Sequence, residues 1–400
     1  MEKVIRLRSG RQGKLRPGHP WVYKNQFLKI SPTIKPGDLI SVQTSNGKFV
    51  GRGYYNPRSE ISVRLLTFND EPLDQIFFNN RIKQAFDRRN PLFSVTNAFR
   101  AVFSEADGLP GLIIDIYHNT VVFQVLTLGM DRFKNLILKS IENILKPSFV
   151  YEKSVSPFRK VEGLKDSAMW WGSSGEPIIE IFEGKAKFFV DIVNGHKTGF
   201  YLDQRKSRLA LENFSNGKKV LDLFSYTGGF SVHAGLYGAK YVRSVDIKEE
   251  WLELGRKNAI LNGVSRKIEF VRGDVFRVLK DISDSNEKFD LVIIDPPSFL
   301  KKKESLETAS KGYKELNYLG MNILNEGGIL ATFSCSNKMP NEVFSKTVEE
   351  AALIAGKKFT ILKRCHQAED HPIVRSIPET EYLKGYFLKV STVIHNVGQA

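Results

Sequence analysis

Val220-Leu-Asp-Leu-Phe-Ser-Tyr-Thr-Gly-Gly-Phe230 passes from a strand-like apolar run directly into small residues and a glycine pair. The pattern predicts a strand over 220–224 and a helix beginning near Phe230. The same alternation continues downstream. Tyr241-Val-Arg-Ser-Val-Asp246, Ile268-Glu-Phe-Val-Arg272, Leu291 to Asp295 and Ile329 to Phe333 read as further strands. Glu249 to Leu261 reads as a helix closed by Asn262-Gly263. From about residue 195 onward, strands separated by helix-length segments predict an α/β fold with a doubly wound parallel sheet.

In such a sheet, ligands bind beyond the carboxyl ends of the strands. Glycine at 228 lets backbone approach a ligand closely. Eighteen residues later Asp246 ends the second strand, where a carboxylate can grip ribose hydroxyls, and Gly273-Asp274 ends the third. The G-x-G-x-x-G spacing that cradles a pyrophosphate is missing, which argues for a nucleoside without phosphates. S-adenosylmethionine is such a ligand. The plainer reading is that the glycines serve only a tight turn and Asp246 only caps a helix. Four aligned strand ends favour the ligand.

The last two strand ends carry chemistry of their own. Asp290-Leu-Val-Ile-Ile runs into Asp295-Pro-Pro-Ser-Phe299, and Ile329 to Phe333 runs into Ser334-Cys-Ser336. Cytosine C5 is a poor nucleophile until a thiolate adds to C6, and cysteine is both a good nucleophile and a good leaving group. A carboxyl near N3 stabilises the charge that develops on the ring. Cys335 and Asp295 are placed for these roles, and the two prolines stiffen a loop that would meet a flipped base. Phe299 serves equally as a stacking or a packing residue. Cys365 reads as a small buried hydrophobe.

Composition narrows the setting. At 400 residues, with 42% hydrophobic and 26% charged residues, the chain is globular and long enough for two or three domains. Two cysteines exclude a disulfide framework and an all-cysteine metal cage. No apolar run reaches membrane-spanning length, and Met1 to Arg8 lacks the apolar core of a secretory signal, so a cytoplasmic protein is expected. The net charge of +15 is uneven, since residues 1–66 hold 13 Lys/Arg against three acids. Concentrated positive charge with interleaved aromatics and glycines points to a polyanion such as RNA rather than a merely solvated face. Lys14, Arg16, His19, Arg52 and Arg58 are the candidate phosphate contacts. Short apolar runs broken by Pro36-Gly37, Ser45-Asn-Gly47 and Asn56-Pro57 make this first module a compact β-barrel. Between it and the α/β sheet, residues 71–95 and 131–146 read as helical and 112–115 and 120–125 as strands, a central α+β unit.

Taken together, His19-Pro-Trp-Val22, Gly51-Arg-Gly-Tyr54, Glu105-Ala-Asp-Gly-Leu-Pro-Gly111, Gly195-His-Lys-Thr-Gly-Phe-Tyr-Leu-Asp-Gln-Arg205, Phe224-Ser-Tyr-Thr-Gly-Gly-Phe230, Asp295-Pro-Pro-Ser-Phe299, Phe333-Ser-Cys-Ser336 and Ala368-Glu-Asp-His-Pro372 resemble the RlmI-type RNA cytosine-C5 methyltransferases, which act on 23S ribosomal RNA. The resemblance covers nearly the whole chain. It implies a PUA RNA-binding domain over 1–70, a central α+β domain over 71–185 and a Rossmann-like methyltransferase domain over 186–400. It implies Cys335 as nucleophile with Asp295 as its partner. It also places Asp222, Ser225, Tyr226, Thr227, Gly228, Asp246, Asp274 and Asp295 at S-adenosylmethionine. Ser298 stands where the family usually has lysine, and Asn337 and Lys338 replace small or histidine residues. Two other functions fit the residues: N-methylation of RNA through the Asp-Pro-Pro-Ser-Phe loop, and an inactive RNA-binding assembly factor. A homodimer is compatible with the sequence.

Overall fold

Seven strands build the sheet to which the 220–230 stretch belongs: β1 (Lys219–Leu223), β2 (Tyr241–Asp246), β3 (Ile268–Arg272), β4 (Phe289–Ile294), β5 (Leu324–Ser334), β6 (Lys357–His366) and β7 (Lys384–Thr392). The structure, a computed structural model, describes residues 3–9, 18–299 and 305–393. The strand order is β3-β2-β1-β4-β5-β7-β6. β1 to β5 pair in parallel, and β7 runs antiparallel to both β5 and β6. Helices α1 (Gly229–Leu236), α2 (Glu249–Leu261), α3 (Val275–Asp284), α4 (Leu306–Asn322) and α5 (Asn341–Ile354) connect or flank the strands. The strand order reverses between β1 and β4, which opens a ligand crevice at their carboxyl ends.

The parallel strands are apolar because helices cover them. Leu221, Leu223, Val292, Ile294 and Leu330 form one core with Leu279, Tyr313 and Phe344 of the helices. β1 stops one residue earlier than its apolar run, because Phe224 adopts φ 61° and turns the chain out of the sheet.

Contacts divide the chain into two units: residues 1–181, 190–202 and 369–380, and residues 182–189, 203–368 and 381–400. The sheet just described belongs to the second. In the first, Val4–Arg6, Leu39–Gln43, Phe49–Tyr55, Ile61–Thr67 and Trp21–Tyr23 form a five-stranded sheet in that order. Leu7 pairs with Phe27 beyond the two edge strands, and Ile5, Val22, Val42 and Val63 fill the interior. A second five-stranded sheet in this unit has the order Ser167–Trp171, Phe149–Ser154, Thr120–Val125, Leu112–Tyr117, Ala98–Phe103. Tyr54 joins its core and donates to Pro110 O at 2.8 Å. The 131–146 segment is broken rather than one helix: Leu128–Arg132 and Lys134–Ser140 meet at Phe133, and Ile141–Leu145 widens into a π-turn.

Arg100 and Asp107 are structural. Arg100 makes a two-pronged pair with Asp115 at 2.8 and 2.9 Å, and Asp115 also accepts from Thr198. Arg89 grips Asp107 at 2.9 and 2.7 Å. Each pair is buried, so its charges are compensated by geometry rather than by water.

Candidate active site

Between β1 and α1 the backbone is held in an unusual shape. Phe224, Tyr226 and Gly228 all have positive φ (61°, 51° and 77°), which a glycine takes without strain and the two aromatics do not. The turn persists because neighbours fasten it. Ser225 N–H donates to Val245 O at 3.0 Å, Tyr226 N–H to Asp246 Oδ2 at 2.9 Å, and Asn258 Nδ2 to Thr227 O at 3.1 Å.

This turn presents polar atoms that the described protein does not use. Asp222 Oδ1, Ser225 Oγ and Thr227 Oγ1 are buried without a hydrogen-bond partner. Buried polar atoms of that kind are costly unless a ligand or water meets them, so the turn fits a polar ligand. Asp222 Oδ2 accepts from Ser231 Oγ at 2.6 Å. Burial, with Asp295 and Asp246 nearby, pushes the Asp222 carboxyl up to about 7. Three carboxylates thus gather at the ends of β1, β2 and β4, an arrangement suited to a positively charged group. Asp246 also accepts from Lys248 N–H at 3.1 Å, and Asp274 caps α3 by accepting from Arg277 N–H at 3.1 Å. These bonds fix both carboxylates at the rim and leave acceptor capacity on each.

Cys335 follows β5 directly, half-buried, with its sulfur 4.0 Å from Pro296 O. Since β4 and β5 are paired in register at Ile294 and Thr332, Asp295 and Cys335 leave the sheet on adjacent strands. Tyr313 of α4 lies beneath them, fully buried, and accepts a hydrogen bond from Ser334 Oγ at 3.0 Å. Phe299 packs edge-on against Tyr313, with ring centroids 4.9 Å apart, which makes it a packing residue. Cys365 is buried, and burial pushes its thiol up to about 11, so it is inert by comparison.

Known proteins share this architecture. A PUA-like domain model matches residues 5–68, and an S-adenosylmethionine-dependent methyltransferase model matches residues 158–375. The ribosomal RNA large subunit methyltransferase I of Alteromonas mediterranea is 40% identical over 98% of this chain and 100% of its own length. The chain belongs to the ribosomal RNA large subunit methyltransferase I family. The Klebsiella pneumoniae member is 39% identical over 96% of this chain and 97% of its own. A methyltransferase structure from Streptococcus mutans superposes with a TM-score of 0.84 at 25% identity, covering 97% of this chain and 100% of that one. A structure with the same score, identity and coverage was solved in complex with SAH. The orphaned atoms of the 222–228 turn therefore lie in a domain whose family uses S-adenosylmethionine.

For this large subunit methyltransferase I family member, the basic residues of the first module have distinct settings. His19 is buried, its Nε2 3.1 Å from Glu379 Oε2. Arg52 donates to Glu71 O at 2.7 Å and to Asp70 at 2.5 Å. Arg58 is exposed. Lys14 and Arg16 lie outside the described residues. Residues that sequence reading missed beside Cys335 include Tyr313 and Lys384. Tyr313 and Lys384 had no available signal, since only folding brings them to Cys335. Among the described residues, no helix is long and apolar enough to cross a membrane.

Proposed function

We propose that this protein methylates C5 of a cytosine in large-subunit ribosomal RNA, in bacterial terms 23S RNA, with Cys335 as the nucleophile and Asp295 as its partner. The observation that carries this reading is the pairing of a half-buried thiol and a carboxylate on adjacent parallel strand ends. Asp222, Ser225, Tyr226, Thr227, Gly228, Asp246 and Asp274 would hold S-adenosylmethionine. When bound, it supplies an electrophilic methyl group.

The chain's own residues do the rest. The Cys335 thiolate adds to C6, its electron pair becoming the C6–S bond while the ring's double-bond electrons move onto C5 and the N3 side. With the cytosine bound, Asp295 in its protonated form donates a hydrogen bond to N3 and so meets the negative charge that develops there. After C5 is methylated, a base removes the C5 proton, the C–H electrons re-form the C5–C6 double bond and the C6–S bond breaks to release the thiolate. The three carboxylates around the turn favour a cationic donor over a neutral one. Arg52 and Arg58, with the other basic residues of 1–70, would hold phosphates while residues 186–400 act on the base.

The test is methyl transfer from labelled S-adenosylmethionine to free ribosomal RNA and to large subunits, followed by mass spectrometry of the nucleosides. 5-Methylcytidine is the expected product, and a base methylated on nitrogen would overturn the reading. Cys335→Ala should lose turnover while SAH still binds. Full turnover in that variant rules out the covalent step.

A further inference from the structure

Lys384 opens β7, and its partner across the sheet is Ser334, the last residue before Cys335. Its ammonium folds over the turn that carries the cysteine. Nζ donates to Ser336 O at 2.7 Å and to Met339 O at 2.5 Å, so two carbonyls of the 335–339 segment hang on one cation. Within the turn, Ser336 O also accepts from Met339 N–H at 3.1 Å. A lysine placed there costs desolvation, and a methionine of similar length would pack without that cost. Bonds to two carbonyls offset part of that cost.

We infer that Lys384 is a positioning residue for the methyl transfer: it fixes the turn bearing Cys335 and supplies the positive charge that favours the thiolate. The inference rests on the nucleophilic role proposed for Cys335. Burial pulls the Lys384 ammonium down to about 8, with the Cys335 and Glu381 charges opposing that fall. The cation is therefore present at neutral pH and lost in mild alkali. Other titratable groups face the same corner: Asp295 from the end of β4, Tyr313 from α4, Glu381 ahead of β7 and His366, which pairs with Lys384 from β6. Asp295 and Glu381 oppose a thiolate, so a cation fastened to the turn is what makes it accessible.

Three variants separate the two jobs. Lys384→Gln keeps hydrogen-bond donors for the carbonyls without the charge, Lys384→Met removes both, and Lys384→Arg keeps the charge. The readout is the rate at which Cys335 displaces iodide from iodoacetamide across pH, located by peptide mass spectrometry, with Cys365 as the internal slow thiol. In Lys384→Gln the alkylation midpoint should move up by about one pH unit, and the rate at neutral pH should fall about tenfold. Lys384→Arg should restore most of it. SAH affinity should stay unchanged in all three, and methyl-transfer kcat should fall with little change in KM. An unmoved midpoint in a folded, SAH-binding Lys384→Gln protein overturns the role of Lys384. It leaves the covalent reading standing, because that reading is judged by Cys335→Ala turnover.

Discussion

Replacing Asp222 by asparagine should make the protein more stable, and by an amount that depends on pH in a calculable way. The side chain is 1% exposed at the end of β1, and the swap exchanges an ionisable group for a neutral one of the same shape. Burial, with Asp295 and Asp246 nearby, lifts its carboxyl from 3.8 to about 7. Between these values the unfolded chain has released the proton and the folded chain has kept it, so stability falls as pH rises through that window. The contribution is whole below pH 3.8 and gone above about 7. At about 1.4 kcal/mol per pH unit, the loss totals on the order of 4 kcal/mol. The asparagine variant has no such loss. Its advantage over the natural protein should be close to zero near pH 4, grow steadily and level off above about pH 7. Urea unfolding of both cofactor-free proteins at a series of pH values measures the gap directly, and other titrating groups cancel in the difference. A gap that stays flat, or is widest at the acid end, would refute the idea that Asp222 is a carboxyl held against its preference. The same variant should bind S-adenosylmethionine more weakly, since it removes negative charge from the turn.

Gly129→Ala should destabilise the first unit by more than about 3 kcal/mol, because a Cβ there meets the Tyr54 ring at 1.9 Å; thermal unfolding reports it. Asp115→Asn should cost about 3–5 kcal/mol in denaturant unfolding, since it leaves the Arg100 guanidinium buried without its carboxylate. Arg58→Ala should weaken RNA binding across sequences and reduce the slope of log K against log salt by about 0.9, measured by fluorescence anisotropy. An unchanged slope would mean that Arg58 makes no phosphate contact.

The parallel half of the sheet was legible because its signals are local. Tyr241–Asp246, Ile268–Arg272 and the helix Glu249–Leu261 have the bounds that the sequence pattern predicts. Each is an apolar or amphipathic run punctuated by turn residues. β6 was not legible. It is an edge strand whose Lys357, Lys358, Lys363 and Arg364 guard it from unwanted pairing, and those charges erase the apolar alternation by which strands are read. The break at Phe133 escaped notice for another reason. Its apolar spacing is helical throughout, and only a dihedral choice at Phe133, with φ −88° and ψ 3°, splits the segment. At the candidate site, Cys335 and Asp295 announced themselves through their strand ends, and Asp222 entered through the resemblance. Tyr313 and Lys384 did neither, since each reaches the cysteine only through sheet pairing or helix packing.

The placement of β7 between β5 and β6 bears on how the protein is made. β7 follows the other six strands in the chain, yet it inserts between two that precede it. During synthesis β5 therefore emerges with an unfilled side and must wait until residues 384–392 have left the ribosome. Until then Cys335 is already present but its ammonium neighbour is not. On the role proposed for Lys384, the charge that favours a Cys335 thiolate arrives only as the sheet is completed.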